Sequence, residues 1–149
     1  MMTASQESAD VKTNAVMSLK YFTIEEFDSP DYVGSADLFM DRNFLEMLDT
    51  ARGYSNGTPF KITSGYRTPE RNAAIYKKLN KPEVKSSHLY GRAADILATT
   101  SRDRFNIVEA LIKAGFNRIG ISGKSGFIHV DNDCPEYGGQ KSSDVIWIY

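Results

Sequence analysis

The stretch Arg118–Asp131, RIGISGKSGFIHVD, reads as two short strands, Arg118–Ile121 and Phe127–Asp131, joined by the glycine-rich turn Ser122–Gly126. Side chains alternate along a strand, so His129 and Asp131 share one face and Val130 takes the other. Upstream, Thr100 with Asp103 fits a capping box, and the following helix carries Phe105, Val108, Leu111 and Ile112 on one side before Gly115 ends it. Ala93–Leu97 reads as a buried strand and Phe60–Ser64 as a short one. Thr68 as N-cap with Pro69 at the first helical position starts a helix that runs to about Leu79. Asp41–Arg52 has the helical spacing Phe44, Leu45, Met47, Leu48, Ala51, with Gly53 as its stop. Asn80–Gly91 reads as loop, and Val145–Ile148 as a last short strand. Trp147 and Tyr149 are expected to cover the core. Short strands mixed with helices predict an α+β fold: a small mixed or antiparallel sheet packed with helices in a single domain.

The 149 residues are 41% hydrophobic and 25% charged, which excludes a wholly disordered chain and suffices for one independent core. With 18 Lys and Arg against 19 Asp and Glu, the net charge of −1 carries no basic excess, and no nucleic-acid partner is expected. A single cysteine, Cys134, excludes an intramolecular disulfide framework and reads as an inert thiol. No apolar run reaches the roughly 20 residues that span a bilayer. The N-terminus has no basic segment followed by an apolar one, so no signal peptide is read. Residues 1–19, polar and without periodicity, read as a flexible tail. The folded domain is expected over 20–149, beginning where Tyr21, Phe22, Ile24 and Phe27 cluster, and a monomer is the default. Lys77, Lys78, Lys81 and Lys85 form a modest basic cluster that reads as solvated surface.

Chemistry concentrates around the chain's two histidines. His88 and Asp95 bracket the segment HLYGRAAD, and His129 lies in the strand FIHVD. Two imidazoles and a carboxylate are the protein ligands of a catalytic Zn²⁺, which polarises a carbonyl and lowers the pKa of water towards about 7. The plainer alternative is two ordinary histidines, one in a loop and one in a half-buried strand.

Ile62–Thr68 (ITSGYRT), Ser86–Asp95 (SSHLYGRAAD) and Phe127–Asp131 (FIHVD) together resemble the zinc D-Ala-D-Ala carboxypeptidase family, peptidase family M15, over about Tyr21–Tyr149. The hedgehog signalling domain has a similar zinc fold. The resemblance implies His88, Asp95 and His129 as zinc ligands and Arg67 as a substrate-binding residue, whose guanidinium suits a peptide carboxylate. Ser86 is implied to contact substrate or to order its loop. The implied activity is hydrolysis of bacterial peptidoglycan stem peptides, by a D-Ala-D-Ala carboxypeptidase or an endolysin-type endopeptidase of phage character. Such a lysin waits in the cytoplasm of the producing cell and reaches the wall after release.

The sequence departs from the family at one point. Many members carry an acid three positions before the second histidine ligand, and here that position is Gly126. Asp131 is the replacement read from the strand, as the general base that takes a proton from the attacking water and returns it to the leaving amine. An equal reading makes Asp131 the acceptor that fixes the His129 tautomer. Asp133 and Glu136 are weaker alternatives. The missing acid also leaves open a catalytically inactive zinc-containing domain that binds peptide or cell wall.

Overall fold

Five strands form one mixed sheet: β1 (Ile62–Ser64), β2 (Ala93–Leu97), β3 (Arg118–Ser122), β4 (Phe127–Asp131) and β5 (Val145–Ile148), in the order β1-β2-β4-β3-β5. The first three neighbouring pairs are antiparallel, and β5 runs parallel to β3. The computed structural model describes residues 18–149. Most of the tail expected at 1–19 therefore lies outside the described residues.

Register sorts the strands into two faces. Ala94, Val130, Ile119 and Ile146 align across four strands, as do Ile96, Ile128, Ile121 and Ile148. This aliphatic face is the core side: Ala94, Ile96, Ile128, Val130 and Ile119 are buried. Directly opposed residues project to the same side of a sheet. The alternate rows, Asp95–His129–Gly120–Trp147 and Ala93–Asp131–Arg118–Val145, therefore occupy the other face.

Four helices accompany the sheet: α1 (Ser35–Phe39), α2 (Arg42–Gly53), α3 (Pro69–Lys78) and α4 (Ser101–Lys113). The expected caps are present. Asp41 accepts from Phe44 N at 2.9 Å, and Thr68 from Arg71 N at 3.1 Å. Thr100 accepts from Asp103 N at 3.1 Å. Phe44, Leu45, Leu48 and Ala51 of α2 join Ile107, Ala110 and Leu111 of α4 and the aliphatic sheet face in one core.

Two expectations need correction. The buried stripe of α4 is Ile107, Ala110 and Leu111, whereas Phe105 and Ile112 are 64% and 52% exposed. The stripe chosen from sequence includes Leu111 and Val108, which packs partly buried against the core, but also takes in the exposed Phe105 and Ile112, because the helix has more apolar residues than one face can bury. Trp147 and Tyr149 also do not cover the core, since both stand on the opposite sheet face, over Gly120. Three short 3-10 turns, Ile24–Phe27, Ser87–Tyr90 and Pro135–Tyr137, and helix α1 have too few residues for periodicity to reveal them.

Candidate metal centre

His88 is delivered by the 3-10 turn Ser87–Tyr90. Ser86 caps this turn, its Oγ accepting from His88 N at 3.2 Å. Asp95 and His129 face each other across β2 and β4. One ligand atom from each of His88, Asp95 and His129 lies within 4.8 Å of the other two, so the fold brings together the three residues the sequence singled out.

The hydrogen bonds behind the rings orient them. His88 Nδ1 is 2.7 Å from the Gly65 carbonyl oxygen, which can only accept, so Nδ1 carries a proton and Nε2 a lone pair. That carbonyl is held in place by close packing: a Cβ on Gly65 would stand 2.6 Å from Phe27 Cα. His129 Nε2 donates to Asp131 Oδ2 at 2.7 Å, which leaves Nδ1 to face Asp95. His88 Nε2 and His129 Nδ1 lie 3.4 and 3.1 Å from Asp95 Oδ1. With both rings neutral, three acceptors converge with no donor between them. Two imidazole nitrogens and a carboxylate oxygen so placed, each ring backed by an acceptor, fit a Zn²⁺ ion.

Electrostatics divide the two rings. Burial pushes the His88 pKa below its ordinary value, against the pull of Asp95. Burial also opposes a charged His129, but its hydrogen bonds to the Asp131 and Asp95 carboxylates prevail and raise its pKa. Asp95 sits far below the usual carboxylate range, because the two histidines outweigh its desolvation.

Asp131 is buried and fully engaged. Oδ2 accepts from His129, while Oδ1 accepts from Arg118 Nε at 2.6 Å and from Asp133 N at 3.0 Å. Burial would raise its pKa, yet His129 and Arg118 hold it low. Asp133 accepts from Ser87 Oγ at 2.8 Å, and Glu136 from Asn117 and Ser143. Gly126 has a φ of +66°, a backbone that favours glycine, and a Cβ there would meet Thr99 and Ala98 rather than His129.

Arg67 lies next to the centre through its backbone, whose N donates to His88 O at 3.2 Å. Its side chain donates to Asn72 Oδ1 at 3.1 Å and lines a separate cleft of about 110 Å³ with Arg71 and Tyr66. Tyr66 is buried against Phe39, with ring centroids 5.0 Å apart. Cys134 is buried, and burial raises its pKa, which suits an inert thiol.

Sequence reading missed Arg118 and Lys141 and assigned Trp147 and Tyr149 to the core. With Ser86, His129 and Asp131 they line a cleft of about 140 Å³. The Arg118 guanidinium lies 5.1 Å from the Trp147 ring centroid, and Trp147 lies 5.4 Å from the His129 ring. A cationic residue inside the apolar strand RIGIS was the available signal for Arg118.

A model of the Peptidase M15 family matches residues 20–131. The chain belongs to the peptidase M15 family. No curated protein matches it. The match ends at Asp131, so Lys141, Trp147 and Tyr149 come from the segment beyond it. M15 membership implies zinc-dependent peptidase chemistry directed at peptidoglycan-type peptides, and the His88–Asp95–His129 group could hold the metal. Among the described residues no helix is long and apolar enough to cross a membrane.

Proposed function

We propose that the protein is a zinc-dependent peptidase that hydrolyses stem peptides of bacterial peptidoglycan, with His88, Asp95 and His129 as metal ligands. The observation that carries this reading is the convergence of these three donors, each histidine backed by an acceptor on its other nitrogen. A Zn²⁺ held there would supply Lewis-acid polarisation of the scissile carbonyl and of the attacking water. Gly65 and Asp131 keep the protons of the two rings away from Asp95. Of the two roles open to Asp131 in the sequence, we propose that it positions His129, because both of its oxygens are already engaged. His129, the Asp133 backbone N–H and Arg118 keep that carboxylate ionised against its burial. Ser86 orders the His88 turn, while Arg67, partly buried beside it, is the proposed anchor for a substrate carboxylate. Trp147 and Tyr149 wall the cleft and exclude water from one side.

Mass spectrometry of purified peptidoglycan after incubation with the zinc-loaded protein tests the reading. New stem-peptide fragments are expected, and their masses name the bond, whether D-Ala-D-Ala or an endopeptidase bond of the endolysin type. Release of such an enzyme from a phage-infected cell's cytoplasm belongs to the same proposal. The second reading, a zinc-bearing domain that binds wall peptides uncut, draws on the engagement of Asp131 and on Gly126. Intact wall with zinc still bound would establish it.

A further inference from the structure

A cavity of about 430 Å³ lies beside the cleft at His129. Lys141 lines both, which makes them neighbours. Three cations, Lys85, Arg92 and Lys141, border this cavity against one acid, Asp133. Asp133, held by Ser87 Oγ and Gln140 N, pairs with Lys141 across 4.0 Å, so the three cations outnumber the acid lining the cavity by two. Lys141 is itself fixed, donating to the Lys85 carbonyl at 3.1 Å. Arg92 is fixed too, by a 2.7 Å hydrogen bond from Nη1 to the Tyr137 carbonyl. Beside Arg92 stands Gly138, and a Cβ there would lie 3.5 Å from Nη2, so glycine keeps that flank of the guanidinium open. Lys85, part of the basic cluster that read as bare surface, is exposed at the rim, its Nζ 3.9 Å from Glu83 Oε2.

We infer that this cavity is a carboxylate subsite that receives the acidic residue of the peptide substrate while the scissile bond lies at His129. The inference rests on the proposed peptidase reading. A guanidinium and two ammonium groups converging on a cavity recognise a carboxylate and discriminate against its neutral amide. Lys85 and Arg92 lie within the family match, whereas Asp133 and Gly138–Lys141 lie beyond it.

The probes are a stem pentapeptide, L-Ala-γ-D-Glu-L-Lys-D-Ala-D-Ala, with a free glutamyl carboxylate and the same peptide with that group as carboxamide. The zinc-loaded full chain should show a KM about tenfold lower for the carboxylate, the scale of a charge-assisted hydrogen bond, with kcat unchanged. The Lys85→Gln, Arg92→Gln double variant should abolish the preference, bringing the ratio of the two KM values to about one. If the double variant does not fold, Lys85→Glu at the exposed rim should weaken the preference about threefold. Equal KM values in the wild type, or a preference that survives substitution, overturn the subsite while the peptidase reading stands. If neither peptide is cut, the peptidase reading fails, and the same peptides are titrated by amide NMR. Shifts at Gly138 and Gly139 with the carboxylate peptide alone then support the subsite, and their absence overturns it.

Discussion

The two faces of the sheet share the same strands and oppose one another in chemistry. Ile96, Ile128 and Val130 fill one face and meet helices α2 and α4. Asp95, His129, Asp131 and Arg118 crowd the other, each burying a polar group that must find a partner. One face gains stability from burial at about 1.5–3 kcal/mol per large aliphatic side chain. The other spends that stability holding polar groups in a fixed geometry. The contrast separates a face that determines whether the chain folds from one that determines what it does.

The sharpest way to break this comparison is His129→Ala. Metal content should fall from about one zinc per chain to near zero, with wall digestion lost and the circular dichroism spectrum kept. A variant that retained stoichiometric zinc would remove His129 from the ligand set. On the other face, Ile128→Ala should lower unfolding stability by about 2–5 kcal/mol, read by denaturant titration. The protein that remains folded should take up zinc with unchanged affinity. If zinc affinity collapsed as well, the faces would not be separable.

Asp131→Asn probes the layer between them. Zinc affinity should weaken about 10- to 100-fold, measured by competition with a chelator, because His129 loses its carboxylate acceptor. A Kd unchanged with turnover lost would instead return Asp131 to the role of general base.

Acidity sharpens the site face alone. In the metal-free protein the His129 pKa lies above 6.5. The stability its charged ring contributes is therefore full below 6.5 and lost as pH rises through the raised value. Zinc binding requires that proton to leave, so its dependence has the opposite sign. The rise in melting temperature on adding zinc should grow from about pH 5.5 to about pH 8. A rise that shrank over that range would contradict the assignment of His129 as a ligand. The smallest effect is expected from Ser86→Ala, a cap loss of about 1 kcal/mol in thermal unfolding.

Much of this was legible in the chain itself. Strand Phe127–Asp131 and helix Pro69–Lys78 followed from alternation and capping, since both signals act between near neighbours. His88, Asp95 and His129 stood out because histidine is scarce here and an aspartate accompanies each one. Helix α4 shows where local reading stops, because its apolar residues exceed one stripe and only packing against α2 and β4 chose Ile107, Ala110 and Leu111.

The sequence alone determined the α+β class, the principal helices and strands, and the identity of the three donor residues, all properties of short-range pattern. Tertiary structure decided their convergence, the engagement of both Asp131 oxygens, the placing of Trp147 over Gly120 and the cationic cavity at Lys85 and Arg92. These depend on register across strands and on loops meeting from distant parts of the chain. Hydrogen bonds and packing between residues far apart in sequence leave no local signature.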